Sequence, residues 1–335
     1  MTLRSLLQED PPPRIVALIE RHRRWWPVFS FASGVASYLL VQRTDARAPW
    51  IAGLLALGWL WLLLEPWLAR LRGYRLSWRL GRLLSQAVHQ ETLFFTLPFL
   101  LAATDWSSPQ GLFTLAVAGA ALVSITDPVY NRRLRARRGP YLCFHAFTLF
   151  LAVLAVAPIV FRLDTARSYA WAVAIGTLGA LPGLLHLYGR RRYWLGVPFA
   201  AALAGSAWLL QPWVAPVTLW LTEAAVVRGV DEARRLPGPA LSHLEAGTLR
   251  RGIYAFTALH APLGLREPVF HVWRLDGRVV DRIRLDIAGG RREGYRAWSR
   301  KQAFPDDPVG DWTVTVETAG GQRVGVLRFT VDRTR

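Results

Sequence analysis

The sequence predicts an α-helical polytopic membrane bundle of seven transmembrane helices followed by a C-terminal all-β immunoglobulin-like sandwich. Three observations carry that expectation. Seven apolar stretches of about twenty residues run from Pro27 to Trp213. Arginine clusters fill every second gap between them. Beyond Trp213 the hydrophobic period changes to two. A bilayer core takes roughly 20 apolar residues of helix to cross, and the stretches fall at 27–42, 49–69, 87–104, 111–129, 141–161, 168–188 and 194–213. The expected organisation is a basic tail (1–26), a helical domain (27–213) and a β domain (214–335).

The gaps give the orientation. The tail and the second, fourth and sixth loops hold 18 arginines, against four (Arg43, Arg47, Arg162, Arg167) in the opposite loops. Positive charge stays on the cytoplasmic side, so the N-terminus is expected inside and the C-terminal domain outside, in the periplasm. Trp25, Trp26, Trp50, Trp106, Trp194 and Trp213 fall at segment ends, where an interfacial aromatic belt belongs. The opening residues are charged and broken by Pro11 to Pro13, so the first crossing is expected to act as its own insertion signal. The net charge of +18 is read as topogenic charge meeting anionic lipid headgroups, which excludes nucleic acid as a partner. In the second loop Arg75, Arg79 and Arg82 share one helical face beside Leu76, Leu80 and Leu83. That pattern suits headgroup contact by an amphipathic helix.

From about residue 214 the alternation is that of strands with one buried face. Trp312, Val314 and Val316 alternate with Thr313 and Thr315, and Leu327, Phe329 and Val331 with Arg328 and Thr330. Ile283, Leu285 and Ile287 do the same. Asp276-Gly277, Gly289-Gly290 and Gly320-Gly321 mark turns. Some seven strands in about 115 residues point to a sandwich. The lone Cys143 lies in the fifth apolar stretch, so no disulfide is expected to staple the β domain.

The run REPVFHVWRLDGRVVDRIRLDIAGGRREGYRAWSRKQAF, then GDWTVTVETAGGQRVGVLRFTV, resembles the bacterial domain of unknown function 2914. The segments HQETLFFTLPFL, DPVYNRRLRARR and FHAFTLF are similar to the proteobacterial membrane family called domain of unknown function 5924. The resemblance implies the two-part architecture and a Gram-negative inner membrane. It brings no catalytic residues with it.

Ionisable groups within or bordering the apolar stretches are Glu65, His89, Glu91, Asp127, His145 and His186. Intramembrane charges are functional candidates because they are costly to bury. Glu65, Asp127 and His186 lie close enough to loop arginines to pair with them. That leaves His89, Glu91 and His145 as the deeper candidates, with Asp127 at their edge. His89 and Glu91 stand about 200° apart round a helix, so they do not share one site, whereas Gln86, His89 and Gln90 form a polar stripe suited to interhelical hydrogen bonds. No zinc-ligand spacing, nucleophile elbow or phosphate loop occurs, so no metal and no cofactor are expected. In the β domain Arg296 and Trp298 share a strand face, preceded by Arg291 and Arg292. Guanidinium groups bind carboxylates and phosphates, and indole faces pack on sugars. The expected function is therefore display of a β-sandwich interaction module for a periplasmic protein or an envelope glycan. The alternative is a membrane transporter, sensor or hydrolase that uses the His/Glu/Asp cluster.

Overall fold

The computed structural model describes residues 48–72, 78–126, 128–192, 195–291 and 293–333, with Trp25, Val28, Ala32 and Ala36 nearer the N-terminus. The chain forms two compact units. The helical unit comprises residues up to Phe99, Leu115–Val160 and Ala170–Trp208. The β unit takes Leu209–Arg335 together with two segments from between helices, Leu100–Thr114 and Phe161–Tyr169.

The helices are α1 (Ala48–Arg72), α2 (Trp78–Ala103), α3 (Gln110–Ile125), α4 (Arg138–Val160), α5 (Thr165–Arg192) and α6 (Gly196–Leu209). A π-helical turn, Pro128–Leu134, joins α3 to α4. The seven-span bundle is overturned. Among the described residues only α4 is long and apolar enough to cross a membrane, or two spans if α3 and the π turn, bent 93° to each other, count as one. Two of the apolar runs yield helices well short of twenty residues. The fourth yields a 16-residue helix before the bend, and the seventh yields 14 residues. The third is embedded in α2, whose apolar face is broken by Gln86, His89, Gln90, Glu91, Thr92 and Thr96. Most of the first run lies outside the described residues.

Within the helical unit, Trp59, Val88, Leu149 and Ala152 make one buried cluster. Ala146, Ala180, Leu184 and Ala200 make another. Small residues bring α5 against α4: a Cβ on Gly176 would stand 3.2 Å from that of Phe150. Close approach through small residues is the usual device where helices pack without a hydrophobic drive between them.

The β unit contains a three-stranded sheet, β1-β5-β8 (Trp220–Val227, Ile253–His260, Tyr295–Lys301). A five-stranded sheet runs β4-β10-β9-β6-β7 (His243–Glu245, Arg323–Asp332, Gly310–Thr318, Arg266–Leu275, Arg278–Ala288). A small hairpin pairs β2 (Val230–Asp231) with β3 (Leu236–Pro237). All these pairings are antiparallel except β4 with β10. The order is compatible with an immunoglobulin-like sandwich, in which one sheet holds the first, second and fifth strands and the other holds the third, sixth and seventh. One core lies between the sheets. Trp312, Val314 and Val316 of β9 are fully buried there with Leu327, Phe329 and Val331 of β10 and Trp273 of β6, as period-two patterning requires. The Asp276-Gly277 turn has positive φ at both residues, 47° and 81°, the backbone of a tight two-residue hairpin.

The two inter-helical segments are bound into this unit by specific contacts. Arg323, opening β10, reaches the Asp105 carboxylate at 3.3 Å, and its carbonyl accepts a hydrogen bond from Gln110 Nε2 at 2.9 Å. At the start of α5, Asp164 Oδ1 accepts the Arg167 N–H at 2.8 Å, as an N-cap. Glu267 of β6 accepts the Thr165 N–H at 2.7 Å. Burial, with the nearby Asp164 charge adding to it and the Thr165 contacts opposing, pushes the Glu267 carboxyl up to about 7. Its folded value exceeds its unfolded one, so its contribution is complete below about 4.5 and is lost as pH rises through 7. Glu267→Gln should therefore be at least as stable as the parent at pH 8 in chemical denaturation. A loss above about 2 kcal/mol would show instead that the ionised carboxylate sustains the cap.

Candidate functional site

Two constellations stand out, one in each unit. In the helical unit, α2 presents His89, wholly buried, towards the π turn and α4. His89 Nδ1 lies 2.8 Å from the Tyr130 hydroxyl, and its Nε2 lies 3.0 Å from His145 Nδ1. The rings of Phe144 and Trp59 stand 5.4 and 5.6 Å from the His89 ring, and that of Tyr141 stands 6.0 Å away. Trp59 donates its indole N–H to Thr92 Oγ1 at 2.8 Å, which fixes the indole beside both imidazoles. Arg135 lies over the Tyr141 ring at 5.6 Å. The polar stripe of α2 continues in Gln86 and Gln90, whose amides both donate to the Ser124 carbonyl of α3 at 3.0 and 2.8 Å.

The structure thus brings together His89 and His145, which the sequence proposes, and adds Tyr130, Tyr141 and Trp59. Tyr130 sits three residues beyond Asp127 in a segment whose arginines drew attention to charge. The π turn swings its phenol inward, and no periodicity foretells that. Glu91 is half-buried, two positions along α2 from His89. Asp127 and Arg75 lie outside the described residues, as do the side chains of Glu65, Arg79, Arg82 and His186. Arg79 and Arg82 belong to the first turns of α2, continuous with the 26-residue helix. Among the described residues no group of three or more His, Cys, Asp or Glu converges as a metal site would.

In the β unit, β8 turns Arg296, Trp298 and Arg300 outward, opposite Ala258, Phe256 and Tyr254 of β5. Arg235, at the tip of the β2–β3 hairpin, folds back over this face. Its guanidinium lies 5.0 Å from the Tyr295 ring and 5.5 Å from the Trp298 ring, and it donates to the Arg296 carbonyl at 3.0 Å. Arg291 lies over Tyr295, and Arg300 over Tyr254, each at 5.5 Å. Arg296 approaches Glu293 at 3.5 Å. Arg292 lies outside the described residues. The candidates Arg296, Trp298 and Arg291 therefore meet on one face and its rim. Arg235, Tyr254 and Arg300 complete the set, and sequence reading missed Arg235 because a short hairpin some sixty residues away in the chain brings it there.

Behind that face a second polar chain crosses the core. His271 of β6, wholly buried, places Nε2 3.1 Å from Thr257 Oγ1 of β5 and Nδ1 2.8 Å from Ser299 Oγ of β8. The Trp273 indole N–H also donates to Ser299 Oγ, at 3.3 Å. Burial pushes the His271 imidazole down to about 3. Its hydrogen bonds tie the two sheets together and leave neither ring nitrogen open to solvent, so its role is structural. His260, stacked on Trp220 at 4.0 Å, is likewise pushed down by burial, to about 4.

Fold and constellations together define a protein of two units, helical and β-sandwich, without a recognisable catalytic centre among the described residues. The chain belongs to the family of unknown function DUF5924, whose profile matches residues 9–255. Residues 266–331 match a second profile, the protein of unknown function DUF2914. These are the two domains, in the order, that the sequence motifs resemble. No curated protein and no solved structure matches the chain.

Proposed function

We propose that this is a bacterial inner-membrane protein that displays its β unit in the periplasm, where the β5–β8 face binds an anionic envelope glycan. One observation carries the binding reading: three guanidinium groups, those of Arg235, Arg291 and Arg300, are laid on the rings of Tyr295, Trp298 and Tyr254. Stacking and backbone hydrogen bonds, from Arg235 to the Arg296 carbonyl and from Arg300 to the Arg251 carbonyl, fix these planar groups, so less side-chain entropy is lost when their other N–H donors meet an oxyanion.

The membrane setting is supported by the helical unit's surface. Trp50, Leu54, Leu57, Leu115, Leu122, Trp171 and Leu178 are each more than half exposed, a density of large apolar side chains that calls for lipid or another apolar partner. Arg132, Arg133, Arg135, Arg137 and Arg138 precede or open α4. That excess of positive charge supports a cytoplasmic position for this end of α4.

The test uses full-length protein in nanodiscs, with polygalacturonate as an anionic probe and dextran as a neutral one. Polygalacturonate should bind and dextran should not. Raising salt from 50 to 500 mM should weaken binding, because the attraction is largely electrostatic. The double variant Arg235→Gln, Arg300→Gln should lower affinity at least tenfold. Equal binding of both probes, or an unchanged affinity in the double variant, would refute the assignment.

A further inference from the structure

We propose that Tyr130, His89 and His145 form a proton relay through the helical unit, an activity separate from glycan binding and resting on different residues. The geometry supplies an unbroken chain. Tyr130 meets His89 Nδ1 at 2.8 Å, and His89 Nε2 meets His145 Nδ1 at 3.0 Å. The two imidazoles are joined nitrogen to nitrogen, and His89 has both of its nitrogens engaged, one towards each neighbour. A histidine placed in series between a hydroxyl and a second imidazole can accept on one nitrogen while it gives from the other.

The transfer balances. In the starting arrangement Tyr130 O–H donates to His89 Nδ1, His89 Nε2–H donates to His145 Nδ1, and His145 carries its proton on Nε2. A proton delivered to the Tyr130 oxygen bonds there as the original phenolic proton passes to His89 Nδ1. The His89 Nε2–H bond breaks as an N–H bond forms at His145 Nδ1, and the His145 Nε2 proton departs to water. One proton enters, one leaves, and all three groups end neutral with each imidazole in its other tautomer. His145 is only partly buried, unlike His89, which gives the chain an outlet.

The surroundings suit transient charge on the central ring. Trp59, Phe144, Tyr130 and Tyr141 stand between 5.4 and 6.1 Å from it, ring centre to ring centre, and aromatic rings attract a cation that meets their faces. Water is kept from His89, so protons reach it through its two hydrogen-bonded partners. Arg135 lies over the Tyr141 ring, and its positive charge opposes a resting cation on the nearby imidazole. It favours passage of a proton over storage.

The experiment is nitrogen NMR of the full-length protein in micelles, labelled with 15N-histidine. A relay predicts that His89 and His145 each show signals averaged between the Nδ1–H and Nε2–H tautomers. Tyr130→Phe keeps the ring and removes the hydroxyl, and should slow that exchange at least tenfold and lock both imidazoles in one tautomer. His145→Asn, which ends the chain at the other side, should lock His89 in the same way and decides the matter if Tyr130→Phe does not fold. Single fixed tautomers in the parent protein would overturn the proposal. So would averaging that persists in either variant, because exchange would then not run along this chain.

Discussion

Lowering the pH from 7 to 4 should destabilise the β unit steeply, and His271 and His260 should account for comparable shares of that loss. The His271 imidazole has a folded value of about 3 against an unfolded value near 6.5. The unfolded chain therefore binds the extra proton first. The stability contributed by the neutral ring is present above about 6.5 and is lost as pH falls from there towards 3. The full difference corresponds to roughly 5 kcal/mol by linkage, an upper bound reached only at the acid end. His260, pushed down to about 4, acts in the same direction over a narrower range. The measurement is chemical denaturation followed by amide exchange on β5, β6 and β8 between pH 7 and 4. His271→Gln should be less stable at pH 7, because Thr257 and Ser299 lose a partner between the sheets, yet its stability should fall less steeply with acid. An unchanged slope would mean that the ring is not the titrating group.

Replacing Trp312 by alanine should have the largest effect of any single change in the β unit. The indole is fully buried, stacks on Phe329 at 5.9 Å, meets Phe304 edge-on at 5.4 Å, and donates to the Pro308 carbonyl at 2.8 Å. Truncating a large buried aromatic costs about 3–5 kcal/mol through lost transfer energy and a residual cavity. That is comparable to the whole stability of a modest domain. Trp312→Ala should therefore expose β9 and β10 to protease in the full-length protein, while Trp298→Ala, on the outer face, leaves protection nearly intact. Equal sensitivity of the two variants would contradict the assignment of Trp312 to the core and Trp298 to the surface.

What could be read beforehand followed from periodicity. Alternation placed Trp312, Val314, Val316, Phe329 and Val331 in one core, and turn dipeptides located the β6–β7 hairpin at Asp276-Gly277, because both signals are local and successive side chains in a regular strand point to opposite faces. The helical region was misread for a related reason. Hydropathy reports composition along a run, and it does not register where a helix ends. The 16-residue α3 turning at Pro128 and the 14-residue α6 have apolar neighbours that extended them on paper. Of the sites, His89 and His145 were visible as rare polar groups in apolar sequence. Tyr130 was not, since a tyrosine near a basic cluster has no distinctive pattern and only the π turn carries it inward. Arg235 was hidden because its contacts to Tyr295 and Trp298 depend on tertiary folding.

The boundary between the two family profiles falls inside the sandwich. The first profile runs to residue 255 and the second begins at 266, whereas β5 (Ile253–His260), which straddles the end of the first, joins β1 to β8 in a single sheet. A gene fragment cut at residue 266 would encode β8 without its hydrogen-bonding neighbour and leave Ala297 and Ser299 with no facing strand. The Glu267 and Arg323 contacts reach further back still, to Thr165 and Asp105. In this chain the second profile is therefore not a portable cassette: its inheritance is tied to that of the segment before it, and recombination at the junction would yield half a sheet.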